Sequence, residues 1–233
     1  TLFPYTTLFR SDCSAPDNFH GWEGNVGEHR MAIEESRVHV PFDIEKQPDA
    51  VSCGPTCLHA VYRHYGDEAG LHALSSEIPQ LSGGCTLCAY LGVDALRRGY
   101  KATIYTFNLK VFDPTWFDLK RGEMIDRLRH QNQIKKSARL SRAASAYNEF
   151  LELGGRVRME DLIGKLIRKH LKRGTPIVTG LSSTYLYGEI REYGDGIEDD
   201  VRGEPQGHFV VLCGYDKASR QVLVADPYEP DDY

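Results

Sequence analysis

From Gly54 to Tyr65 apolar residues recur at three- and four-residue intervals. Cys57, Leu58, Val61, Tyr62 and Tyr65 mark one face of a helix, and Gly66 stops it. The same spacing predicts a helix over 71–78, ended by Pro79. It predicts another after Gly83-Gly84, where Leu87, Tyr90, Leu91, Val93, Ala95 and Leu96 precede Gly99. Residues 118–173 read as two or three further helices, over 119–136, 140–153 and 159–171, with breaks such as Gly154-Gly155. Alternating or compact apolar runs predict short strands at 37–42, 101–107 and 175–181. A final pair follows at 207–215 and 221–226, joined by a short polar turn. Residues 12–36, with His20, Trp22, Gly21, Gly24 and Gly27, show little periodicity and read as a loop-rich approach. Residues 185–202, rich in Tyr, Gly and acid, read as a mobile loop or irregular hairpin. Helices first and an antiparallel sheet last, without regular strand–helix alternation or internal repeat, predict an α+β fold.

A chain of 233 residues, 41% hydrophobic and 26% charged, is long enough for a proper core and reads most simply as one globular domain over 12–233. No segment approaches the uninterrupted apolar run of about 20 residues that a membrane span needs. The formal net charge of −5 gives no general attraction to nucleic acid or anionic membrane. Residues 1–11, TLFPYTTLFRS, lack the basic start and long apolar run of a secretory signal. They resemble translated adapter read-through and are set aside as a non-native leader. The last residues, from Asp226-Pro227 to Tyr233, are loop-like, and the expectation is that one or more C-terminal elements are missing.

Of the six cysteines, Cys53 and Cys57 lie one helical turn apart, Cys85 and Cys88 nearly so, and Cys13 and Cys213 are isolated. That is not the spacing of a secreted disulfide framework, so the expected setting is reducing and cytoplasmic. Cys53 stands out. It follows the polar turn Gln47-Pro48-Asp49-Ala50-Val51-Ser52 and sits at or beside the N-cap of the first helix, with Pro55 tolerated in the first turn. A thiol there meets the positive end of the helix dipole and unpaired N–H groups, which favour the nucleophilic thiolate.

Such a nucleophile needs a base and a group to fix that base. His208 opens an apolar strand and Asp226 ends the next. With a turn centred near Ala218 the two fall opposite or one diagonal step apart, on one face. Asp216 is the alternative acid, although its Gly214-Tyr215-Asp216 setting favours capping the turn. Gln47, six positions before Cys53, can donate to an oxyanion beside the Cys53 N–H. The structural alternatives are plain: Cys53 and His208 as core residues, and Asp226-Pro227 as a strand end.

Gln47, the run Cys53-Gly54-Pro55-Thr56-Cys57-Leu58, the strand Gly207-His208-Phe209-Val210-Val211-Leu212 and Ala225-Asp226-Pro227 together resemble the C39 group of bacterial papain-like cysteine peptidases. The resemblance covers mainly 41–106 and 174–228, which makes 118–173 a helical insertion. It implies a papain-like fold, with the nucleophile's helix packed on a C-terminal antiparallel sheet. It further implies Cys53 as nucleophile, His208 as base, Asp226 as its orienter and Gln47 as oxyanion donor. The expected activity is cleavage of peptide or amide bonds through a thioester, on a peptide or protein substrate, with no metal or organic cofactor. The chain looks like the free-standing members rather than those fused to a membrane exporter. Two alternatives stay open: acyl transfer by the same triad, or a catalytically silent peptide-binding or regulatory domain. Oligomeric state is not set by the sequence.

Other motifs are weaker. Cys85-Thr86-Leu87-Cys88 suggests zinc or redox chemistry, but the second ligand pair is missing and packing at a helix start is the simpler reading. Cys57 and Cys213 read as core. Asp195, Glu198, Asp199 and Asp200 do not have the spacing of an EF-hand and read as a solvated loop. The basic helices, with Lys135-Lys136 and Lys165, Arg168, Lys169, carry no interleaved aromatics and read as a solvated face rather than a nucleic-acid site.

Overall fold

A computed structural model describes residues 5–10, 37–81, 86–194 and 196–228. Among them are seven strands: β1 (Tyr5–Arg10), β2 (Arg37–His39), β3 (Lys101–Thr106), β4 (Arg156–Arg158), β5 (Ile177–Ser182), β6 (Gly207–Asp216) and β7 (Gln221–Ala225). The described helices are α1 (Cys53–His64), α2 (Leu71–Glu77), α3 (Cys88–Arg97), α4 (Arg121–Ile134), α5 (Ala138–Glu152), α6 (Gly164–Leu171) and α7 (Ser183–Tyr187), with a 3₁₀ turn at Pro114–Asp118. The approach segment predicted over 12–36 and the Gly83-Gly84 break lie outside the described residues.

The strands form one sheet in the order β2-β6-β5-β1-β3-β4, with β7 on the other side of β6. Every pair is antiparallel except β3–β4. The class is therefore α+β, as expected. One strand was not anticipated: Tyr5–Arg10, set aside as a leader, lies between β3 and β5, with Leu8 opposite both Thr103 and Ile177. Its Tyr-Thr-Thr-Leu-Phe run has the β-branched and aromatic composition that strands favour.

Helix α1 packs on β6, α3 on β3 and α5, and α4 on α5. One core joins these layers through Leu58, Val61, Tyr62, Leu91, Ile104, Tyr147, Phe150 and Val211. Helices α4 and α5 thus contribute to the main core, whereas α6 places Leu166, Ile167 and Leu171 in a second cluster with Ile177, Val210 and Leu212. At Gly92 an added Cβ would stand 2.6 Å from the Phe150 ring, so the closeness of α3 and α5 depends on glycine there.

The same region departs from the periodic reading at one point. A helix from residue 159 was expected, but Arg156–Arg158 forms a parallel edge strand on β3 and α6 starts only at Gly164. Gly154 takes φ 98, and the Gly155 N–H closes α5 onto the Phe150 carbonyl at 2.9 Å. The chain leaves this glycine cap extended, with Val157 turned toward the core.

Candidate active site

The loop before α1 is built by its own polar side chains. Asp49 Oδ1 accepts from the Val51 N–H at 2.9 Å and from the Ser52 hydroxyl at 2.7 Å, an Asx-type turn. The Ser52 bond above all, with the backbone N–H groups and against some burial, holds the Asp49 carboxyl below its ordinary value. Ser52 is the N-cap, and its carbonyl accepts from the Thr56 N–H at 2.9 Å and the Thr56 hydroxyl at 2.8 Å. Cys53 follows as the first residue of α1, among the N–H groups that have no acceptor within the helix. Space behind it is tight: a Cβ at Gly54 would lie 2.5 Å from Thr86 Cγ2 and 3.3 Å from the Phe209 ring. One turn on, the Cys57 thiol donates to the Phe209 carbonyl at 3.2 Å and ties α1 to β6.

The hairpin β6–β7 supplies the other half. At its tip Gly214, Tyr215 and Asp216 lie opposite Leu223, Val222 and Gln221, whereas deeper in, Leu212 and Val211 lie opposite Val224 and Ala225. Cys213 is therefore an extra residue, a β-bulge. Continuing the deeper register sets Asp226 across from Val210, one diagonal step from His208 and on its face. Had the tip register continued, Asp226 would have met Val211 and faced away from His208. The bulge is where β6 changes neighbours: β5 pairs with it up to Leu212 and β2 from Gly214. The Cys213 carbonyl accepts from the Val40 N–H at 2.7 Å.

His208 Nε2 and Asp226 Oδ1 are 2.7 Å apart, and His208 is 7% exposed. The Cys53 side chain also acts on the imidazole, and with Nε2 given to Asp226 the ring nitrogen left for it is Nδ1. Burial alone would push His208 down. The bonds to Asp226 and Cys53, with the charges of both, outweigh it and raise the imidazole from its ordinary 6.5 to about 9. Asp226 is moved the other way: burial opposes its charge, but bonds from His208, Tyr187 and the Tyr228 N–H hold the carboxyl below its ordinary value.

Cys53, His208 and Asp226 are thus brought together from α1, β6 and the end of β7. Gln47 reaches the same end of the sheet, since its N–H donates to the Pro227 carbonyl at 2.8 Å. Its side-chain Nε2 donates to the Asp49 carbonyl at 2.8 Å, and its Oε1 is buried without a partner. Asp216 is at the opposite end of the hairpin. It caps the turn by accepting from Ala218 and Ser219 N–H at 2.8 and 3.2 Å and pairs with Arg37 at 2.5 Å.

Two aromatic residues of the site escaped sequence reasoning. The Tyr187 hydroxyl donates to Asp226 Oδ2 at 2.6 Å, and the Tyr228 N–H to Oδ1 at 2.9 Å. Tyr187 lay inside a stretch read only as a Tyr-rich loop, and nothing in its spacing separates it from Tyr185 or Tyr193. The remaining cysteines stand apart: Cys57, Cys88 and Cys213 form no disulfide among the described residues, and Cys13 and Cys85 lie outside them. Cys88 contacts the Tyr147 hydroxyl at 3.4 Å. In the acidic loop Asp195 is also outside the described residues, and Asp199 is occupied by the N–H groups of Val201 and Arg202 and by the Arg202 side chain.

This end of the fold thus holds a cysteine at a helix start and a histidine bonded to an aspartate. The Peptidase_C39 like family model matches residues 39–233, and the chain belongs to that family. Neither a curated protein nor a solved structure matches the chain. Among the described residues no helix is long and apolar enough to cross a membrane.

Proposed function

We propose that the protein is a cysteine peptidase or amide hydrolase with a papain-like arrangement, in which Cys53 is the nucleophile. The observation that carries this reading is the set Cys53–His208–Asp226, in which the imidazole is held by the carboxylate at 2.7 Å and is acted on by the Cys53 side chain at the start of α1. The thiolate attacks the carbonyl carbon of the scissile amide, and the carbonyl π electrons move to oxygen. The oxyanion is met by the Cys53 N–H and by the Gln47 amide, one of whose two N–H bonds is left after the Asp49 contact. The His208 imidazolium gives its proton to the amine as the C–N bond breaks, leaving a Cys53 thioester. Water then adds to the thioester carbonyl while neutral His208 takes its proton; the C–S bond breaks, releasing the acid and restoring the thiolate–imidazolium pair. Asp226 keeps Nε2 as the ring nitrogen that is bonded away from sulfur, so that Nδ1 handles the proton throughout.

The raised imidazole supports this order of events, because an imidazolium is in place at neutral pH for the amine-expelling step. Cleavage of a mixed peptide library tests the proposal. The native chain is expected to generate new amino termini and C53A none; equal product from both would remove Cys53 from the chemistry.

A further inference from the structure

Asp226 receives more than its histidine. Both carboxylate oxygens are engaged: Oδ1 by His208 Nε2 and the Tyr228 N–H, and Oδ2 by the Tyr187 hydroxyl at 2.6 Å. The Tyr187 ring also lies 5.9 Å from the imidazole and 5.3 Å from the Tyr228 ring, centroid to centroid, so two aromatic rings flank the base. The phenol is held from below. Ser182 caps α7 by accepting from the Tyr185 N–H at 3.4 Å, and Gly188, at φ 70, ends the helix one residue after Tyr187. Two bonds tie α7 to the residues just before His208: Ser183 N–H to the Gln206 carbonyl, and Gln206 N–H to the Thr184 hydroxyl, both 3.0 Å. The chain that runs up to Tyr187 is thereby fastened to the strand that carries the base.

We infer that Tyr187 is a positioning residue: its hydroxyl fixes the Asp226 carboxylate in the rotamer that faces His208, and its ring keeps water off the Asp226–His208 bond. The inference rests on the triad reading above. A carboxylate bonded only through Oδ1 can rotate about its Cβ–Cγ bond and lose the imidazole; the second bond, from a phenol on a pinned helix, removes that freedom. A hydrogen bond to a charged group contributes more than a neutral one, and losing this bond is expected to slow turnover by about 10- to 100-fold.

The test compares Y187F, Y187A, C53A and the native chain on one cleaved peptide, with kcat counted per thiol titratable by an irreversible cysteine reagent. Y187F is expected to lower kcat about 10-fold or more while KM stays within about twofold, and Y187A to lower it further because the ring is lost as well. The acid limb of kcat/KM should also move to higher pH in Y187F, since Asp226 loses a donor that keeps it ionised. A merely structural role would lower thermal stability and the titratable fraction but leave kcat per active thiol and the pH limb in place, and that result overturns the inference. Activity in C53A overturns the triad reading itself. An inactive C53A beside an unaltered Y187F removes only the role given to Tyr187.

Discussion

The β6–β7 hairpin carries an aspartate near each end, and the two do different work. At the tip, Asp216 caps a turn and pairs with Arg37, whose side chain is 73% exposed; at the base, Asp226 holds a buried imidazole and is held in turn by a phenol. The residue type is the same and the strand pair is the same. What separates them is Cys213, the single extra residue that shifts the register between the two ends. The tip is a local device, satisfied within a few residues. The base is a long-range device whose geometry depends on the count of residues between His208 and Asp226.

The sharpest break of that comparison is deletion of Val224 from β7. With one residue fewer on that strand and the tip pairing kept, Asp226 moves across from Val211 or Leu212 and away from His208. Cleavage is expected to fall by more than about 100-fold, measured where circular dichroism shows the variant folded, whereas C213A, which keeps the count, retains activity within about threefold. D226N comes next. It leaves a similar shape but removes the charge that outweighs burial, so kcat/KM should drop by about 100- to 10,000-fold, as when the orienting acid of a triad is neutralised. Its pH profile carries a sign. In the native chain His208 titrates at about 9, above its ordinary 6.5, so activity should fall as pH rises through about 9 and the imidazolium is lost. Stability contributed by that pairing is complete below 6.5 and lost over the same rise. Residual D226N activity should lose its alkaline limb at lower pH. D216A is the smallest: activity within about twofold, with only a slight change in thermal unfolding, as expected for an exposed pair and a turn cap.

Much of this site was legible because its parts lie in strongly patterned segments. The α1 periodicity and the polar turn before it put Cys53 at the helix start, and the two apolar runs at the end of the chain gave the hairpin. The shared face of His208 and Asp226 was expected from a turn centred near Ala218, but the reason is different. Asp216 pairs with Gln221, so the tip register alone would have parted the two residues, and the bulge brings them back. A glycine inside a strand is a known mark of such irregularity. At Gly214 an added Cβ would stand 2.7 Å from the Val38 carbonyl, so glycine is needed where β2 crosses close to β6. Tyr187 was not legible, since one hydroxyl reaching across 39 positions leaves no periodic trace. Nor was the strand Tyr5–Arg10, whose place between β3 and β5 is set by pairing with segments about a hundred and more positions away. The strand at Arg156–Arg158 was hidden by its length, three residues after a glycine pair that looked like a helix break.

The central claim is that Cys53 forms the thioester, and that its nucleophilicity depends on His208. The most direct measurement is mass spectrometry of the acid-quenched protein during turnover of an activated peptide ester, followed by mapping of the acylated fragment. The account predicts the acyl mass on the fragment containing Cys53, on Cys53 rather than Cys57 four residues later. It predicts no adduct in C53A and acylation slowed by about 100-fold or more in H208A. Acylation at another residue, or at Cys53 at an undiminished rate in H208A, would contradict it.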